Sequence, residues 1–177
     1  MIRLKKVLAP TDFSEGSKRA LRYAVSFAQE YKASLTVLHV IDVIYYDYGW
    51  MYGGVPMPDR IVCEHDDKVK ACLEEFVPQG YRDRVDISLE LIHGQPFREI
   101  IRYAREKEMD LVVLATQGRM GLSHLFLGSV AEKVVRGAPC PVLTVHMGGR
   151  DLVEIDEEET EREANSSDHA EGDGGES

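Results

Sequence analysis

Three short runs, SLTVLHV (34–40), LVVLAT (111–116) and PVLTV (141–145), are almost wholly apolar and rich in β-branched residues. A strand needs such an unbroken run when both faces of its sheet are covered, so the pattern points to a parallel sheet with helices on either side. The segments between the runs agree. Within 14–31, Ala20, Leu21, Ala24, Phe27, Ala28 and Tyr31 recur at three- and four-residue intervals and would form one buried helical face. Before it, 3–9 (RLKKVLA) ends in an apolar run, and PTDFS supplies breaker and cap residues. The alternation then repeats, with a strand at 85–92, a helix at 96–107, a strand at 111–116, a short helix at 128–136 and a last strand at 141–145. Five strands interleaved with about four helices predict an α/β fold, an open, doubly wound, mostly parallel sheet with right-handed crossovers.

Two stretches fall outside the alternation. Residues 43–61 hold four of the eight tyrosines and the sole tryptophan among glycines and prolines, followed by a helical segment at about 65–76. These rings either pack on the domain or a second subunit, or form a lid over a ligand. The other stretch is 148–177, too polar and acidic to bury a core and expected to be a disordered tail on a domain formed by 1–147. Twelve of the 31 acidic and two of the 21 basic residues fall in the tail, so 1–147 carry nineteen of each and the tail holds the whole net charge of -10. A neutral body argues against general nucleic-acid or anionic-membrane binding, where a basic face would supply much of the affinity. No apolar run reaches the roughly 18 residues that span a bilayer, and the N-terminus is a poor secretory signal, so a cytoplasmic protein is expected. Cys63, Cys72 and Cys140 form no CxxC pair, which indicates reduced thiols rather than a disulfide framework or zinc site.

On open α/β sheets, ligands bind outside the carboxyl ends of the strands, where the strand order reverses. That rule selects Pro10, Thr11 and Asp12 after the first strand. Asp12 could accept hydrogen bonds from a base or sugar, or it could cap the following helix, a job for which Ser14 competes. It also selects ATQGRMGLSHLFLGSV (115–130), where Gly118, Gly121 and Gly128 allow positive φ and close approach, and Gly128-Ser129 opens a helix whose N–H groups favour an anion. The plainer alternative is tight turns, an N-cap at Ser129 and a solvated Arg119. There is no GxxxxGK[ST], and no GxGxxG follows a predicted strand, which disfavours a P-loop NTPase and the usual dinucleotide fold. His39 reads as a hydrogen-bonded core residue, Cys140 as a packed thiol, and the acids at 64–67 as a helix N-terminus rather than a metal site.

Three blocks in order, KKVLAPTDFSEGSKRAL, LTVLHVID and DLVVLATQGRMGLSHLFLGSVAEKVVRGAPCPVLTV, resemble the universal stress protein A family over nearly all of 1–147. The resemblance implies strand order 3-2-1-4-5 and homodimers paired through the final strand, from Pro141 to Val145. An apolar edge strand with unpaired main-chain groups points to the same dimer. Nucleotide-binding members share G-x2-G-x9-G followed by Ser or Thr. Here Gly118 and Gly128-Ser129 satisfy the later positions, and Ala115 stands at the first glycine, where its methyl group would crowd a ribose or phosphate.

Carried over by position, the family roles give Pro10, Thr11 and Asp12 lining an adenosine site, with Asp12 on the ribose or base. Val40 would present main-chain groups to adenine, and Gly118, Arg119, Gly128, Ser129 and Val130 would surround the phosphates. The implied ligand is ATP, or ADP or AMP, with Mg2+. With no lysine in the loop, binding is expected rather than fast phosphoryl transfer. The leading expectation is an adenine-nucleotide-binding stress or regulatory protein. The alternatives are an interaction module of the same fold whose pocket Ala115 has closed, and a slow ATPase.

Overall fold

A computed structural model of the chain describes residues 2–42, 59–116, 128–148, 150, 152 and 153. Five parallel strands, β1 (Lys6–Thr11), β2 (Ser34–Asp42), β3 (Ile87–Gly94), β4 (Leu111–Ala115) and β5 (Val142–Val145), form one sheet in the order β3-β2-β1-β4-β5. The predicted architecture is therefore the observed one. Helices α1 (Glu15–Tyr31) and α2 (Asp59–Phe76), the single turn α3 (Gln79–Arg82), α4 (Pro96–Glu106) and α5 (Ser129–Gly137) complete it.

Strand alternation divides the core into two layers. Val7 and Ala9 of β1, Leu35 and Val37 of β2, and Leu111 and Val113 of β4 meet Ala20, Leu21, Ala24, Val25 and Ala28 of α1 and Leu73 of α2. Their neighbours Leu8, Leu38, Val40, Val112 and Leu114 meet Ile100, Tyr103 and Ala104 of α4 and Ala131 and Val134 of α5. The three central strands are thus buried on both faces, which is why their sequences show no polar alternation.

Ser14 accepts from the Ser17 N–H at 3.2 Å and starts α1, and Lys32, at φ 54, ends it. Of the predicted face, Ala20, Leu21, Ala24 and Ala28 are buried, Phe27 is half-buried and Tyr31 is exposed, while Val25 joins the core. β3 begins two residues later than its sequence suggests. The N–H of Val85 is drawn back to the Tyr81 carbonyl at 3.0 Å, so Val85 buries its side chain from a turn and the ladder starts at Ile87. α2 starts at Asp59, ahead of the expected 65; the aromatic stretch 43–58 lies outside the described residues. Beyond β5, Arg19 Nη1 donates to the Met147 carbonyl at 2.6 Å, and the Leu152 N–H donates to the Tyr23 hydroxyl at 3.0 Å, so Met147 and Leu152 are each tied to α1.

Candidate functional site

The strand order reverses between β1 and β4, since β2 and β3 lie on one side of that pair and β5 on the other. The carboxyl ends of β1 and β4 are where such a sheet opens a crevice. Pro10, Thr11 and Asp12 close β1 there, Ala115 closes β4, Val40 lies near the end of β2, and Gly128, Ser129 and Val130 open α5. The structure brings these eight predicted residues to one edge. Gly118 and Arg119 lie outside the described residues, as do Gly121 and His124.

On the β1 side, the Thr11 hydroxyl donates to Ser17 Oγ at 3.0 Å and accepts from the Phe13 N–H at 3.0 Å, while its carbonyl is 2.8 Å from His39 Nδ1. Thr11 is therefore engaged within the protein and fixes the turn. Asp12 does not cap α1. Its Oδ1 accepts from the N–H of the capping Ser14 at 3.1 Å and from its hydroxyl at 2.5 Å, which holds the carboxylate half-buried at the strand end. Phe13 turns the chain at φ 64 and stacks on His39 with ring centroids 4.3 Å apart, with Phe76 edge-on at 5.6 Å. His39 is thus the hydrogen-bonded packing residue expected of it.

β2 outruns β1. Their register ends at Thr11 opposite His39, and Val40, Ile41 and Asp42 pair only with β3. The Ser34 N–H bonds to Lys5 of the β1 side and the Leu35 N–H to Asp86 of the β3 side, so alternation turns the main-chain groups of Val40 toward β1. The next N–H in that ladder belongs to Phe13, which bonds Thr11 Oγ1 instead. The Val40 carbonyl consequently faces the crevice at the end of β1.

On the β4 side, Ala115 is half-buried in ordinary strand conformation opposite Val145, outside the positive-φ residues Phe13, Lys32 and Glu108. The alanine needs no backbone strain. The Thr116 N–H continues the ladder to the Val145 carbonyl at 3.0 Å, and the Thr116 carbonyl accepts from the Gly128 N–H at 2.7 Å. That bond anchors the start of α5 beside the end of β4. Gly128 is the N-cap, at φ -58 and ψ 148, and as a glycine it offers no side chain to cap the helix. Two expectations change accordingly: Gly128 does not use positive φ, and Ser129 is the first helical residue rather than the cap. The first-turn N–H groups of α5 have no intrahelical partner, and the helix dipole makes the site attractive to an anion.

Thr116 was not singled out by its sequence position. It is 9% exposed, and its Oγ1 is buried with no hydrogen-bond partner among the described residues. The available signal was alternation, which places Thr116 on the face of Val112 and Leu114, where α5 packs.

An open cavity of about 440 Å³ lies at the opposite, amino edge, lined by Lys5, Lys32, Ser34, Arg84 and Asp86 among others, and holds none of the predicted site residues. No cluster of three metal-capable side chains occurs among the described residues. Asp66, one of the acids considered as a ligand, instead accepts from or pairs with His93 at 3.0 Å. Likewise, no helix among the described residues is long and apolar enough to cross a membrane.

Comparison with known proteins agrees with this fold. The profile of the Universal stress protein family matches residues 3–146. Universal stress protein MJ0531 of Methanocaldococcus jannaschii is 35% identical over 145 residues, covering 80% of this chain and 81% of that protein. The solved structure of MJ0577, a universal stress protein of the same organism, is similar with a TM-score of 0.71 and 25% identity, across 84% of this chain and 100% of that one. A crystal structure of a universal stress protein in complex with cAMP shares the fold, with a TM-score of 0.57 and 24% identity across 82% of this chain and 98% of that one.

Proposed function

The chain belongs to the universal stress protein family, and from that premise we propose that its switch-point crevice binds an adenine nucleotide, ATP first, with ADP or AMP as weaker ligands. Mg2+ would accompany the polyphosphate. The observation that carries this reading is the bond from Gly128 to the Thr116 carbonyl, which seats a helix N-terminus at the end of β4, on the same strand-end edge of the sheet as Pro10, Thr11 and Asp12. The Val40 carbonyl suits the adenine amino group, Asp12 the ribose, and the N–H groups of Ser129 and Val130 the phosphates, with Gly118 and Arg119 completing the phosphate loop. Ala115 adds one methyl group at the wall and sets how closely the ribose approaches. The related protein that carries cAMP supports an adenine ligand on this fold.

The output of binding is a shift in stability and surface rather than turnover. A ligand at a hundredfold excess over its Kd adds about 2.7 kcal/mol to the folded state. At cytoplasmic, millimolar ATP the protein would act as a regulatory sensor. It would work as a homodimer paired through β5, on a domain formed by 1–147. Thermal unfolding with millimolar ATP, ADP and AMP in the presence of Mg2+ tests the reading. A rise in midpoint that Asp12→Ala and Gly128→Val both abolish is expected, and an unmoved midpoint with all three nucleotides would remove it.

A further inference from the structure

The excess negative charge of the chain lies beyond β5, and 154–161 alone carry six acidic side chains and no basic one. The described residues fix where that run leaves the domain. Arg19 Nη1 holds the Met147 carbonyl at 2.6 Å, while the Tyr23 hydroxyl donates to the Arg150 carbonyl at 3.4 Å and accepts from the Leu152 N–H at 3.0 Å. These anchors advance one turn along α1, from Arg19 to Tyr23, toward the end of the helix at Lys32. That end forms one wall of the amino-edge cavity, where Lys5, Lys32 and Arg84 stand against Asp86, the one acid lining it among the described residues. Positive charge also continues from the cavity to the flank of α1. Burial raises the pKa of the Tyr81 hydroxyl, and the charges of Arg22 and Arg84 oppose that rise, so both guanidinium groups lie near this ring.

We propose that the acidic run 154–161 of the chain's own tail docks on the basic amino-edge cavity, its carboxylates facing Lys5, Lys32 and Arg84. The lengths agree. From Tyr23 to Lys32 the helix advances about 14 Å at 1.5 Å per residue, and an extended chain leaving Leu152 covers that distance in four or five residues at about 3.3 Å each. Asp156 and Glu157 are the residues so reached, with Glu158 and Glu159 next. The charges agree as well, since a cavity whose cations outnumber its acid attracts an anionic segment. Tethering supplies that segment at an effective concentration on the order of millimolar, which a separate acidic peptide would have to match. The tail is thus an internal cover that keeps other polyanions off this edge. The cavity lies at the edge opposite the crevice, so the inference stands apart from the nucleotide reading.

Zero-length carbodiimide crosslinking of the full chain, read by mass spectrometry of its peptides, tests the docking. In 10 mM salt the carboxylates of 156–159 should couple to Lys5 and Lys32 roughly fivefold more than to Lys18, toward the other end of α1, or to Lys70 of α2, both exposed. In 1 M salt, where the screening length shrinks from about 30 Å to about 3 Å, that preference should vanish. Arg84→Gln should lower coupling to Lys32 roughly two- to threefold in 10 mM salt, because one of the three attracting charges is gone. In an equilibrated mixture of 15N-labelled and unlabelled protein, each crosslinked pair should carry a single label. Equal coupling at Lys18 and Lys70, a preference that salt leaves unchanged, or wild-type coupling in Arg84→Gln would each overturn the proposal. Pairs that mix the two labels at random frequency would overturn it too, by assigning the cavity to the tail of a second copy.

Discussion

Phe13 occupies the left-handed region at φ 64 without the freedom of a glycine, which costs on the order of 1–2 kcal/mol. The hydrogen bond from its N–H to Thr11 Oγ1 and the contacts of its ring with His39 and Phe76 hold it there. Nothing in Asp12-Phe13-Ser14 announces this, because the ring contacts that complete the compensation come from residues distant in the chain. Gly94 is the opposite case. It ends β3 at φ 150, and a Cβ there would lie 2.6 Å from Cγ of Glu99, whose carboxylate is tied to Arg102 Nε at 2.8 Å. Gly94→Ala should therefore lower stability by about 1–3 kcal/mol in urea titrations, and Glu99→Ala in the same chain should recover only the steric part, since the backbone remains strained. Cys140 is governed by solvation. Burial first, and the charge of Asp110 second, push its thiol above the ordinary value. The stability gained by keeping it neutral is complete below the ordinary thiol pKa and is lost as the pH rises through the raised one. Melting followed from pH 8 to pH 11 should accordingly decline less in Cys140→Ala than in the parent chain, and iodoacetamide should label native Cys140 more slowly than the urea-unfolded residue.

At the level of elements, the sequence displays most of what holds the fold together because burial on both faces leaves a one-dimensional trace. The runs at 34–40 and 111–116 are almost wholly apolar, and α1 shows its stripe through Ala20, Leu21, Ala24 and Ala28. Less visible are features set by partners: the late start of β3 follows from the Val85 to Tyr81 bond, and α3 is a single turn with no period to detect. The candidate site divides in the same way. Asp12 and Gly128 are legible because strand ends and helix starts mark them, whereas Val40 enters only through the family resemblance. That Ser14 caps α1 and also grips Asp12 is a contact no spacing reveals. This double use makes Ser14→Ala a sensitive probe. Loss of an N-cap costs about 1 kcal/mol, and the Asp12 carboxylate, left with the main-chain N–H of residue 14 but without the hydroxyl, should also bind the nucleotide sugar less well. Denaturant midpoints and ATP titration on the same variant should both move, whereas a cap with no link to the crevice would move only the first.

At the scale of the whole molecule, the sheet has two exposed edges and they are not equivalent. β3 carries Glu90 and His93 along eight residues, which discourages pairing with another copy, while β5 is short and uncharged. The main-chain direction on β5 can be read from its bonds to β4. The carbonyls of Pro141 and Val145 accept from Val112 and Thr116, so the parallel alternation turns the N–H and C=O groups of Val142 and Thr144 outward. Thr144 is also exposed on its side-chain face. Proline at this position would remove an outward donor and leave the β4 ladder intact, a substitution edge strands tolerate. If copies of the chain pair through β5, light scattering should give twice the 19.9 kDa chain mass for the parent protein and the single-chain mass for Thr144→Pro, with the folded circular dichroism spectrum retained. ATP binding should persist in the single-chain form, because Asp12, Val40 and α5 belong to one copy. A parent chain that scatters as a monomer would leave β5 as an edge protected by its shortness alone, and Thr144→Pro would then change nothing but local stability.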